Sequence, residues 1–359
     1  MRDPTPMFDL VKTLTEIPGP TGQEDRVHEW CADRWSGFCE HVQITRVGNV
    51  LAKVGGNGPS IIILAHGDEL GLIVKSITRN GILHIWPAGR ITTNRPAHWY
   101  NPTNSPVLIM ADHGDVEGQL VYASGHVQQA SSERRHFEWN DWFVDIGVST
   151  RQAAEALGIH PGTRMVVNPQ TRKLGDTIVG KAMDNRAALA IATSVAERVD
   201  SATLRYELWI GSSIQEENGL LGASSIVESR RFDYGIALDV GLCGDVPGTS
   251  KINHPAELRR GPIVVHQDSS VNYSQRMTMA LIQAASDAGI DIQQAIYQYY
   301  SSDGAELIRR GVETVLLTMP TRYTHSPNEM VTEPELVACA DLILAFLERE
   351  PLPARWPKA

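Results

Sequence analysis

Residues 61–65 read IIILA, an unbroken apolar run that stops at His66. A strand with one solvated face alternates apolar and polar residues. A run without alternation is buried on both faces, as in a parallel sheet covered by helices. Parallel strands need long crossover connections, usually helical, and the chain supplies them after Gly175. There DNRAALAIATSVAERV, GLLGASSIVESRR, SQRMTMALIQAASDAG and EPELVACADLILAFLERE read as helices, with LRYELWIG, YGIALDV and ETVLLTMP as strands between them. The pattern predicts an α/β fold built on a mostly parallel sheet.

Residues 73–172 have a different texture. ILHIW, PVLIM, GQLVYAS and WFVDIGV are short β-prone pieces separated by Gly, Pro and Asn, with one helical stretch near STRQAAEALGI. That is the pattern of a small barrel or sandwich. A chain of 359 residues is longer than one core usually serves. The simplest organisation is an α/β domain formed by residues 1–72 and 173–359, interrupted by a β-rich, barrel-like insert at 73–172.

In open α/β sheets, ligands gather outside the carboxyl ends of the strands. The polar residues just after the apolar runs are therefore the ones to collect. IIILAHGDE supplies His66 and Asp68, YELWIGSSIQEE supplies Glu216 and Glu217, YGIALDV supplies Asp239, and TVLLTMPTRYTHSP supplies His325. GKAMDNRAALA places Asp184 at the mouth of a helix. Singly, each has an ordinary reading: a loop histidine, a helix N-cap, a solvated first helical turn, a turn residue. Together they bring only Asp, Glu and His to one sheet edge. Acids so crowded would repel one another, and divalent cations remove that penalty. Imidazole with carboxylate suits zinc, cobalt or manganese, and the absence of cysteine at these strand ends argues against a structural zinc site.

Composition narrows the alternatives. Lys and Arg total 32 against 42 Asp and Glu, a net charge of −10 with no basic cluster, which disfavours nucleic acid as a partner. The cysteines Cys31, Cys39, Cys243 and Cys339 form no C-x-x-C pair or extracellular disulfide framework. The start, MRDPTPMFDLVKTL, lacks the apolar core of a signal peptide, and no run reaches membrane-spanning length. A cytoplasmic protein with no membrane partner is expected.

AHGDELG, GKAMDNR, IQEENGLLGA, ALDVG and PTRYTHSPNEM, in that order, resemble the successive motifs of the M42 metallo-aminopeptidases, the glutamyl and tetrahedral aminopeptidase group. The resemblance extends to GPTGQE, VEGQLVYASGHV, DWFVDIGVSTRQAAEALGIHPGT and SSDGAELIRRG, essentially the whole chain. It implies an enzyme that hydrolyses N-terminal residues from peptides with two divalent metal ions per subunit, zinc or cobalt first and manganese as a third option. Asp184 would bridge both ions. His66 and Asp239 would complete one, Glu217 and His325 the other. Glu216 would be the general base on the bridging water, and Asp68 would orient the His66 imidazole. The insert would be a dimerisation domain, with self-association up to a dodecamer.

Asn185 stands where the family often has a second acid, and Asn218 where an apolar residue is usual. His98 and His113 read as loop residues. His126 matches a family position to which physics assigns no role. Arg322 has two readings, substrate contact or structural ion pair. The competing functions are a metal-dependent deacylase or carboxypeptidase on the same core, a two-carboxylate glycosidase, and a non-catalytic metal-binding relative.

Overall fold

Two helices, α1 (Met7–Glu16) and α2 (Asp25–Trp35), precede the first strands. The structure is a computed structural model that describes residues 4–89, 100–102, 104–124, 126–127 and 138–354. In α1 the helical spacing buries Leu10, Val11 and Leu14 together, and the helix ends before Pro18, which cannot continue it. Strands β1 (His41–Ile44), β2 (Val50–Gly55) and β3 (Ser60–His66) follow. Every residue of β3 after Ser60 is buried, as its unbroken apolar run requires.

The next six strands are β4 (Gly71–Ile77), β5 (Leu83–Ala88), β6 (Pro106–Ala111), β7 (Gly114–Tyr122), β8 (Trp142–Asp145) and β9 (Arg164–Val167). They close into a barrel in the order β4-β5-β8-β7-β6-β9. Leu72, Val74, Leu83, Ile85, Val107 and Ile109 are among the residues that fill it, which is the inward half of each strand's alternation. The helix α3 (Arg151–Ala156) lies between β8 and β9, with Thr150 Oγ1 accepting the Ala153 N–H at 3.1 Å.

The chain then runs through β10 (Arg172–Leu174), β11 (Thr177–Gly180), α4 (Met183–Arg198), β12 (Glu207–Ser213), α5 (Leu221–Ser229), β13 (Tyr234–Leu242) and β14 (Ile263–Gln267). It finishes through α6 (Gln275–Ala288), β15 (Gln293–Ile296), α7 (Gly304–Arg309), β16 (Glu313–Thr321), β17 (Glu329–Thr332) and α8 (Glu333–Leu347). The eight-stranded sheet has the order β1-β2-β12-β3-β13-β16-β14-β15. Its centre, β12-β3-β13-β16, is parallel. β2 and β14 join that centre antiparallel, so the sheet is mixed at its flanks. β10, β11 and β17 make a separate small sheet that sets Gly180 opposite Glu329.

The helix α4 is buried along nearly its whole length because it packs between the sheet, α1 and α8. A helix covered on all sides needs small apolar residues all round, which is why this segment is rich in alanine. The apolar-run reading passed over β14, β15, β17 and α7. Each is short, and β15 has a single buried residue, Ala295. Among the described residues, no helix is long and apolar enough to cross a membrane.

Candidate metal centre

The carboxyl ends of the central parallel strands share one edge. There β3 ends on His66, in register with Ser213 at the end of β12. Three residues later the chain turns tightly through Glu216–Asn218. Asp239 lies within β13, beside Thr318 of β16. His325 follows the end of β16, and Asp184 opens α4 in non-helical backbone. The cap position of α4 falls on Ala182, and the Asp184 carboxylate is turned to His66 and His325 instead.

His66 Nε2 stands 3.1 Å from Asp184 Oδ1 and 3.9 Å from Glu216 Oε2. His325 Nε2 stands 3.3 Å from Asp184 Oδ2 and 3.6 Å from Glu217 Oε1. Asp184 therefore turns one oxygen to each imidazole, and each imidazole faces one of the adjacent glutamates. Two clusters result, His66–Glu216–Asp239 and Asp184–Glu217–His325, each with donor atoms within 4.8 Å of one another.

Asp68 does more than hold an imidazole. Its Oδ1 accepts the Glu216 N–H at 2.9 Å, and its Oδ2 accepts the Glu217 N–H at 3.2 Å and the Thr21 hydroxyl at 3.0 Å. His66 Nδ1 donates to the Asp68 carbonyl at 3.1 Å, which directs Nε2 at Asp184. Burial opposes ionisation of Asp68, yet His66 and these donors hold its pKa below the ordinary value.

The electrostatics fit divalent cations. Burial, reinforced by neighbouring acids, pushes Glu216 and Asp239 well above the ordinary carboxyl range. Burial likewise pushes Glu217 up to about 7. It would depress His325, but Glu217 and Asp184 outweigh it and lift that imidazole to about 10. The Glu217 Oε1 atom is buried without a hydrogen-bond partner. Clustered acids that cannot all ionise, two imidazoles and an orphaned carboxylate oxygen are the donor set of a metal site.

Sequence reading passed over two further acids here. Asp303, buried, accepts the Ser213 hydroxyl on Oδ2 and leaves Oδ1 unpartnered; burial raises it to about 6. Glu329 accepts the backbone N–H of Asp184 at 3.0 Å and of His325 at 2.7 Å. The available signal was an acid four residues past His325 and another within the SSDG stretch before α7. Neither follows an apolar run directly.

Gly67 shows why glycine separates His66 from Asp68: a Cβ there would lie 2.1 Å from His28 Nε2. His28 Nδ1 donates to the Gly48 carbonyl at 2.7 Å and Nε2 accepts from the Ser212 hydroxyl at 2.8 Å, a neutral imidazole. Burial pushes its pKa down to about 4. A histidine depressed in the folded state stabilises it fully above about pH 6.5, and that contribution is lost as pH falls towards 4. The shift corresponds to about 3 kcal/mol. Denaturant titrations of the chain and of His28→Gln at pH 7.5 and pH 5 should show the gap between them shrinking at the lower pH. A constant gap would refute the assignment.

Of the remaining residues, Asn185 is buried and donates to the Leu238 carbonyl at 2.8 Å, tying Asp184 to β13. Asn218 is exposed, so a polar residue there meets no apolar neighbour requirement. Arg322 pairs through Nε and Nη2 with Asp245, which settles it as an ion pair. His113 and His126 are exposed and belong to neither cluster. His98 lies outside the described residues. A cleft of about 610 Å³ opens over both clusters, walled by Leu242, Tyr299, Tyr300 and Thr324.

Residues 48–342 match the family model described as M42 glutamyl aminopeptidase. The chain belongs to the M42 peptidase family. Among its relatives is the putative aminopeptidase FrvX of Escherichia coli, 27% identical over 346 residues that cover 95% of this chain and 94% of that one. The crystal structure of the TET aminopeptidase from a marine sediment thaumarchaeon superposes with TM-score 0.89 at 25% identity, covering 96% of each chain. The dodecameric PhTET1-12s has the same fold, with TM-score 0.84 at 24% identity over 96% of this chain and 99% of that one. This M42 peptidase is accordingly an aminopeptidase, a hydrolase whose mixed α/β fold, with a large sheet and a closed six-stranded barrel, is similar to that of the TET aminopeptidases. Its family is metal-dependent, and the two clusters are the candidate metal-binding groups among the described residues. The deacylase, carboxypeptidase, glycosidase and non-catalytic readings gain no support from these relatives.

Proposed function

We propose that the protein is a dinuclear aminopeptidase that removes N-terminal residues from peptides. The observation carrying this reading is the division of the Asp184 carboxylate between His66 and His325. Asp184 would be shared by two divalent ions, zinc or cobalt first and manganese next, with His66 and Asp239 holding one and Glu217 and His325 the other. The bound ions would supply Lewis acidity, polarising the scissile carbonyl and making water nucleophilic near neutral pH.

The remaining work falls to side chains. Glu216 takes a proton from the attacking water as the new C–O bond forms, then delivers it to the leaving amine as the C–N bond breaks. Its raised pKa suits a proton acceptor. Asp68 fixes both the His66 ring and the backbone of Glu216 and Glu217, so the base stays in place through the cycle. The cleft of about 610 Å³ would receive the N-terminal residue.

Residues 73–172 would form the dimerisation unit inserted into a catalytic domain of residues 1–72 and 173–359. The TET fold supports self-association, up to a dodecamer like that of PhTET1-12s. All four cysteines are unpaired, which supports a reducing, cytoplasmic setting.

Hydrolysis of aminoacyl-anilides by the purified protein should disappear after EDTA dialysis and return on adding Zn²⁺, Co²⁺ or Mn²⁺. Full activity in the chelated protein would refute the proposal.

A further inference from the structure

Glu329 belongs to none of the groups assigned above, yet it joins two of them. Its Oε2 accepts the Asp184 N–H at 3.0 Å and its Oε1 accepts the His325 N–H at 2.7 Å. It can reach both because β17 pairs with β11, which places Glu329 opposite Gly180, four residues before Asp184. The loop from β16 into β17 carries His325 on the other side. Both carboxylate hydrogen bonds go to these segments; among the described residues none goes to His66 or Asp239, which ride on the central strands β3 and β13.

The backbone on either side of this contact is strained. Seven non-glycine residues have positive φ among the described residues, and Ala182, Tyr323 and His325 are three of them. Each such residue costs about 1–3 kcal/mol and persists only where its surroundings over-determine it. His325 is held at both ends of its peptide framework: Glu329 takes its N–H, and its carbonyl accepts the Asn101 N–H at 3.0 Å.

We infer that Glu329 is a positioning residue that sets the distance between Asp184 and His325, and thereby builds the second metal position without touching the ion. The inference rests on the dinuclear reading. The first position keeps His66 and Asp239 on rigid strands and meets Glu329 only through the shared Asp184, whose carboxylate also faces His66. The second, whose imidazole rides on a loop, meets it at both Asp184 and His325. Glu329→Gln keeps the side chain's shape but replaces one acceptor oxygen with an NH₂ group that faces a donor N–H. Losing such an outer partner typically weakens metal binding about 10–100-fold.

Calorimetric titration of the metal-free full chain with Co²⁺ tests this. The unaltered chain should take up two equivalents. Glu329→Gln should bind the first with affinity changed by less than about threefold and the second about 10–100-fold more weakly, with a matching loss of the second step in the Co²⁺ visible spectrum. Glu329→Asp, which keeps the charge but is one methylene too short to span both N–H groups, should behave alike and serves if the glutamine variant fails to fold. Two equivalents bound unchanged, or both weakened equally, would overturn the inference. Loss of fold in both variants would overturn it too, because Glu329 would then hold the fold and not the second position. Fewer than two equivalents on the unaltered chain would defeat the dinuclear reading itself and this inference with it.

Discussion

Glu216→Gln lowers kcat by about 10²–10⁴-fold while the purified variant keeps its full metal complement. Gln matches Glu in shape, and the backbone at 216 stays fixed by the Asp68 carboxylate at 2.9 Å. What disappears is the ability to accept a proton. Glu216 also clusters with His66 and Asp239, which makes a ligand role the competing possibility. Elemental analysis beside steady-state kinetics separates the two. A variant that loses activity and metal together identifies Glu216 as a ligand and removes it from proton transfer. Near-normal kcat with metal retained removes it from the chemistry altogether.

Asp184→Asn should be the most damaging single change: metal content falls towards zero and kcat/KM drops by at least about 10³-fold, the several kcal/mol that metal polarisation supplies. Both oxygens of Asp184 are engaged, one towards each imidazole, so an amide weakens both positions at once. The pKa pattern agrees. Burial works against the Asp184 anion, but His325 and His66 together hold it well below the ordinary range. It is the one carboxylate of the two clusters whose pKa is held below the ordinary value. Full loading of Asp184→Asn with two ions would show that the carboxylate is not shared. A variant that loses exactly one of two ions would assign it to a single position.

Most of this centre was readable before any coordinates, for a physical reason. A strand buried on both faces must be apolar throughout, so its end is marked sharply by the first polar residue, and ligands of such sheets collect at those ends. His66, the glutamate pair and His325 follow apolar strands, and Asp239 interrupts one; the rule finds them all. Asp303 and Glu329 escape it because they reach the centre sideways. Asp303 precedes the six-residue helix α7, and Glu329 comes from a small separate sheet whose pairing no local pattern encodes. The barrel was legible as a class from its short β pieces. Its closure was not, since that depends on β4 meeting β9 across nearly a hundred residues. The antiparallel flanks of the large sheet were hidden likewise, because a buried strand has the same composition in either direction.

The hydrogen bond from Asn101 to the His325 carbonyl reaches from the loop before β6 to a residue of the Asp184–Glu217–His325 cluster. The barrel segment is thus tied directly to the loop that carries His325. On the reading proposed above, transplanting a barrel from another M42 enzyme to change how subunits assemble would also exchange the clasp on that loop, so assembly and ion retention would have to change together.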